Sequence, residues 1–172
     1  MTTTAPLATV YIGLGSNLEN PVFQIQIALK QLQTLPEISF IECSQSYGST
    51  PLGPEDQPDF VNAVCRLKTS LSPRELLVAL QKIEFEQGRI KRRHWGERLI
   101  DLDILQYNDI EMSSADLTIP HAEMAKRDFV LIPLAELSPG LVIPGLGTVE
   151  SLIAGLESSY LKSLTPKPTA YE

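Results

Sequence analysis

The chain holds 172 residues, 43% of them hydrophobic and 20% charged, with a formal net charge of −7. That length and balance suit one globular domain that buries its own core, and they exclude disordered and fibrous classes. They also argue against a general nucleic-acid binder, and no apolar run reaches the roughly 18–20 residues a membrane helix needs.

Residues 1–6 show neither the basic cluster nor the apolar run of a secretory leader. The two cysteines, Cys43 and Cys65, read as buried free thiols in a reducing compartment. A cytoplasmic protein is expected, with residues 1–172 as a single domain, a core over residues 8–157 and a polar tail.

The elements follow in chain order. Val10, Ile12 and Leu14 alternate with Tyr11 and Gly13, which predicts a strand over 9–15, broken by a turn at Gly15-Ser16-Asn17. Asn20 is placed to cap a helix with Pro21 in its first turn. Ile25, Ala28, Leu29 and Leu32 then fall at helical spacing, and Pro36 closes the helix. Residues 38–47 are strand-like. Residues 49–59 hold three prolines and one glycine, which excludes helix or central strand and leaves a long shaped loop. Residues 60–67 return to strand.

Ser72-Pro73-Arg74-Glu75 is a capping box. It opens a helix whose apolar stripe is Leu76, Leu77, Leu80 and Ile83 and whose end is Gly88. A strand over 99–107, a turn at Asn108-Asp109 and an extended stretch over 118–121 follow. A helix over 129–137, an extended piece over 142–146 and a short helix over 148–156 complete the order, and the tail from Thr165 is polar and Pro-rich. The order β-α-β-β-α-β plus a C-terminal extension predicts an α+β fold, a ferredoxin-like βαββαβ sandwich.

Three clusters carry chemistry. Arg89, Lys91, Arg92, Arg93 and Arg98 fall within ten residues against the single acid Glu97, a positive island that suits a small polyanion or a solvated loop. Three residues on, Asp101 and Asp103 alternate with Ile100, Leu102 and Ile104. On a strand the two carboxylates share a face with Cα atoms ~6.6 Å apart. They suit a divalent cation completed by substrate phosphates, or a merely polar outer face. Seven residues at ~100° each bring Glu84 back within ~20° of Leu77, so Glu84, with Gln81 beside it, sits on the apolar stripe of its helix and needs a partner there or a route to the rim. His121 follows Pro120, and Trp95 stands among the cations, where it packs the loop or covers a nucleotide. No Walker-type phosphate loop occurs, and Gly13-Leu14-Gly15 lacks the third glycine of a dinucleotide fingerprint.

At these residues the chain resembles a known family. The run H-W-G-E-R-L-I-D-L-D-I-L over residues 94–105 resembles the signature of the 6-hydroxymethyl-7,8-dihydropterin pyrophosphokinases. Matching motifs stand in order at Gly15-Ser16-Asn17-Leu18, Thr50-Pro51-Leu52-Gly53-Pro54, 57–63, 84–89 and Thr118-Ile119-Pro120-His121.

The resemblance implies a transferase, an ATP-binding kinase of folate biosynthesis that moves diphosphate from ATP to a reduced pterin. It implies Arg89, Arg98, Asp101 and Asp103 as catalytic, with two Mg²⁺ ions on the aspartates. It implies ATP contacts from Gln81, Glu84, Lys91, Trp95, Arg98, Ile104, Leu117, Thr118, His121 and Arg127, and a pterin slot of Ser49, Thr50, Pro51, Leu52, Phe60, Asn62 and Phe129. The residue types suit these roles, since a flat heterocycle packs between rings and Asn62 offers both a donor and an acceptor.

The chain departs from the pattern in a basic loop one residue shorter, in Phe60 where tyrosine is frequent, in Ala122 for an aromatic, and in Asp116 for an arginine. The expected molecule is a monomer without nucleic-acid or membrane partners. Its two loops, 48–59 and 88–98, close over the substrates, and metal activates the pterin hydroxyl. The rivals are an RNA-binding module, which would be basic overall with aromatics exposed on its sheet, and a nucleotide-binding regulatory domain, which needs no paired carboxylates beside cations.

Overall fold

The computed structural model describes residues 6–88 and 96–165. Strand β1 (Ala8–Ser16) is the axis of the molecule. It pairs antiparallel with β4 (Phe60–Thr69) on one side and with β5 (Asp101–Tyr107) on the other. The expected strand over 38–47 is two strands, β2 (Ile38–Cys43) and β3 (Ser46–Ser49), both antiparallel to β4. The break has a local cause. The Ser44 hydroxyl accepts from the Val64 N–H at 3.0 Å, and the Ser44 N–H donates to the Val64 carbonyl at 2.8 Å, so a side chain takes one rung of the ladder and the strand bends. The sheet order is β10-β3-β4-β1-β5, with β2 also on β4. β10 (Leu161–Thr165) lies beyond residue 157, where the sequence reading ended the core.

Alternation along the strands builds two cores. Ile12, Leu14, Cys65, Leu67, Leu102 and Ile104 face helices α1 (Pro21–Thr34) and α2 (Pro73–Glu86). Tyr11, Val64 and Leu105 face α3 (Asp128–Leu137) and α4 (Val149–Ala154). Helix α2 starts as its sequence dictates. Ser72 accepts from the Glu75 N–H at 3.2 Å, Glu75 accepts from the Ser72 N–H at 2.9 Å, and Pro73 fills the first turn. That hydrogen bond from the Ser72 backbone, reinforced by its hydroxyl, lowers the Glu75 pKa. The helix ends at Gly88, which takes a φ of +104°.

Asn20 precedes α1 as expected but does not cap it with its side chain, because it adopts a left-handed conformation at φ 64°. Two small hairpins, β6 (Met112–Ser113) with β7 (Thr118–Ile119) and β8 (Val142–Ile143) with β9 (Gly147–Thr148), complete the fold. Cys43 and Cys65 stand opposite each other as buried free thiols, and burial pushes the Cys65 thiol well up. No helix among the described residues is long and apolar enough to cross a membrane.

Candidate active site

The cleft opens on the α3 face of the sheet. Strand β1 runs through Ser16 rather than breaking at Gly15, so Gly13 and Gly15 are strand residues, paired with Asp103 and Asp101. Cross-strand partners share a face, so the two aspartates stand over a floor from which β1 raises no side chain. A Cβ on Gly15 would come within 3.3 Å of Asn62 Oδ1, its partner on β4. These glycines keep the floor of the cleft low. Helix α3 covers the far end of the same face, and its first turn brings Arg127, Phe129 and Val130 to the rim.

The cleft so formed measures about 120 Å³. Ser49, Thr50, Leu52, Phe60, Asn62 and Phe129 line it, together with Arg98, Arg127, Asp101 and Asp103. Asn62 is buried and donates to Ser49 Oγ at 2.7 Å, which orients the amide. The Arg127 guanidinium lies 5.8 Å from the Phe129 ring centroid. Six of the seven residues expected around the pterin thus meet in one place, beside Asp101 and Asp103; Pro51 is not among the cleft-lining residues.

Comparisons with known proteins identify the family. The profile of the family described as 7,8-dihydro-6-hydroxymethylpterin-pyrophosphokinase (HPPK) matches residues 11–139. The chain is 46% identical over 160 residues to the 2-amino-4-hydroxy-6-hydroxymethyldihydropteridine pyrophosphokinase of Haemophilus influenzae, covering 93% of this chain and 100% of that one. It is 48% identical over 145 residues to the Pseudomonas aeruginosa protein of the same name, covering 84% and 90%.

The chain belongs to the HPPK family. Its fold is also like that of the Plasmodium falciparum HPPK-DHPS, with a TM-score of 0.71 at 16% identity over 89% of this chain. This chain spans 45% of that longer one.

The residues expected to contact ATP are more dispersed. Arg89, Lys91, Trp95 and the other cations of the island before Arg98 lie outside the described residues. Ile104 and Leu117 are buried in the α1/α2 core. Gln81 is exposed on α2 and does not line the cleft. Thr118 and His121 line a second groove, between the β6–β7 and β8–β9 hairpins, together with Ala122. Burial holds the His121 pKa below its ordinary value, and the Arg127 charge adds to this against the opposing pull of Glu123 and Asp101. His121 Nδ1 accepts from the Glu123 N–H at 3.1 Å, so the neutral ring carries its proton on Nε2. Asp116 is engaged elsewhere. It accepts from Arg74 Nη1 at 2.9 and 3.0 Å, and hydrogen bonds from Ser114 and Arg74 lower its pKa.

Glu84 answers the question its helical position poses. It is buried, and its Oε2 accepts from the Leu102 N–H at 2.9 Å. β5 ends the described sheet, so an outward N–H between the two aspartates needs such a partner. Glu84 therefore anchors the strand that carries Asp101 and Asp103 from behind.

The sequence places Asn17 in a turn and in one of the family-like motifs, and the structure makes it a hub. It is buried, and its Nδ2 donates to Gln57 Oε1 and to the Pro58 carbonyl, each at 2.9 Å. Its Oδ1 accepts from the Arg98 N–H at 2.9 Å, and its N–H donates to the Arg98 carbonyl at 3.0 Å. One amide thus ties the 49–59 loop to the segment that carries Arg98.

Proposed function

We propose that this chain transfers the terminal diphosphate of ATP to the hydroxymethyl oxygen of 6-hydroxymethyl-7,8-dihydropterin, releasing AMP, as a transferase of folate biosynthesis. The new bond joins that oxygen to the β-phosphorus, the α–β bridge breaks, and the hydroxyl proton is released. The observation that carries the reading is the cleft itself, where paired carboxylates, two arginines and two aromatic rings meet beside an oriented amide. Membership of the HPPK family supports the substrate pair.

Each group has a task in its place. Phe60 and Phe129 pack a flat heterocycle, and Asn62, held by Ser49, reads its amide-like edge. Arg98 and Arg127 offer cations to the phosphates on the opposite side, where charge builds in the transition state. Asp101 and Asp103 are hard oxygen donors on one strand face and fit Mg²⁺, which takes one or two carboxylates and completes its shell with phosphate and water. Bound there, the two ions would neutralise charge on the phosphate oxygens. The Asn17 tie holds the 49–59 loop and Arg98 together beside the cleft, which favours exclusion of competing water.

The strand order, with β2 and β3 taken as one bent strand, supports a ferredoxin-like βαββαβ sandwich with an added C-terminal strand. We read residues 8–165 as one unit, a monomer needing neither nucleic acid nor membrane. The two buried free thiols support a reducing, cytoplasmic setting. The deciding assay incubates the protein with ATP, Mg²⁺ and the pterin. AMP is expected only when all three are present, and nucleotide turnover indifferent to the pterin, or release of ADP instead, overturns the reading.

A further inference from the structure

The C-terminal strand was not foreseen in the sequence, and its contacts converge on one half of the cleft. β10 extends the sheet beside β3, with Leu161 opposite Ser49. Just before it, the Tyr160 carbonyl accepts from the Thr50 N–H at 2.9 Å. The Tyr160 ring meets Phe129 edge to face, centroids 6.0 Å apart at 81°. Ser49, Thr50 and Phe129 are all wall residues of the cleft.

A latch holds this segment down. Asp128, in the first turn of α3 and 5% exposed, accepts through Oδ2 from the Tyr160 N–H at 2.9 Å, the Leu161 N–H at 3.0 Å and Ser159 Oγ at 3.3 Å. Its Oδ1 is buried without a hydrogen-bond partner among the described residues. Such burial is unfavourable, and gathering three donors on the other oxygen offsets it.

We propose that residues 157–165 are a strap that sets the pterin side of the cleft, with Tyr160 and Asp128 as positioning residues; this rests on the diphosphokinase reading. Phe129 is free to turn about its side-chain bonds unless something bounds it. Tyr160 packs against it edge to face, and Arg127 lies against the same ring. Thr50 follows β3 at the start of the proline-rich loop, and its N–H is fixed by the strap rather than by β4. The strap therefore fixes two walls of the slot that takes the heterocycle. Among the described residues it approaches the phosphate side through Phe129 and Arg127, so its loss weakens pterin recognition more than nucleotide recognition.

The test compares Tyr160→Ala, Tyr160→Phe and Asp128→Ala with the unaltered protein, measuring KM for pterin and for ATP, kcat and melting temperature. Tyr160→Ala is expected to raise the pterin KM about 2- to 10-fold while the ATP KM stays within about twofold, and Tyr160→Phe restores the original value. Asp128→Ala shifts the same constant in the same direction. A lowered melting temperature with an unchanged pterin KM, or equal rises in both KM values, overturns the proposal. Should Tyr160→Ala fail to fold, Tyr160→Leu keeps apolar bulk without the ring edge, and the same split is read from it. Absence of pterin-dependent AMP formation by the unaltered protein would instead sink the diphosphokinase reading, and the strap's role with it.

Discussion

The same three strands, β5, β1 and β4, present two opposite surfaces. On the α1/α2 side, Ile12, Leu14, Cys65, Leu102 and Ile104 interlock with helical side chains and are nearly inaccessible. On the other side, alternate residues of those strands are Gly13, Gly15, Asn62, Asp101 and Asp103, and helix α3 stops short of them. The chemistry of the second surface depends on the closure of the first. Two carboxylates can stand side by side because the hydrocarbon beneath them fixes the register, and a slip of one residue would exchange the two sets. Stability and the proposed chemistry thus fall on alternate residues, and substitutions should separate them.

The largest separation is expected at Asp103. Replacing it with Ala removes a carboxylate proposed to hold a cation and should lower kcat about 10³-fold or more, while the thermal midpoint is unchanged or higher. Steady-state kinetics with a melting curve on the same preparation check this, and a variant with near-normal turnover would contradict the two-surface account. Ile12, on the buried side of neighbouring β1, should do the reverse. Ile12→Ala opens a cavity and is expected to destabilise by about 2–5 kcal/mol in denaturant titrations, with KM values of the folded fraction preserved. A large kcat loss without loss of stability there would show that the faces are not separable.

How much of this was legible follows from how local each signal is. The Ser72 box, the terminating Gly88 and the Asp101/Asp103 alternation are set by residues within a few positions of one another, and the structure keeps all of them. What escaped depends on distant partners. Asn17 reads as a turn residue until Gln57 and Arg98 fold around it. The role of Gly13 and Gly15 needs the register with Asp103 and Asp101. Glu84 was marked by its position on an apolar stripe, but its acceptor role needs the exposed edge of β5. β10 has a polar sequence, and the edge of β3 supplies the pairing that makes it a strand. Asn20 had the right residue type at the right place, and a left-handed backbone removed its capping bond.

The smallest expected effect lies at the junction of the two grooves. His121 has a pKa held below its unfolded value near 6.5, first by burial and then by the Arg127 charge. The native state therefore binds fewer protons than the unfolded chain in this range. Its contribution is fully present above the unfolded pKa and is lost as pH falls through the lower folded value. His121→Asn keeps an acceptor for the Glu123 N–H and removes the titration. Denaturant midpoints at pH 7.5 and 5.5 should then differ less in the variant than in the unaltered protein. An identical pH dependence in the two would place the ring in solvent, away from Arg127, and would detach the second groove from the cleft that carries the arginines.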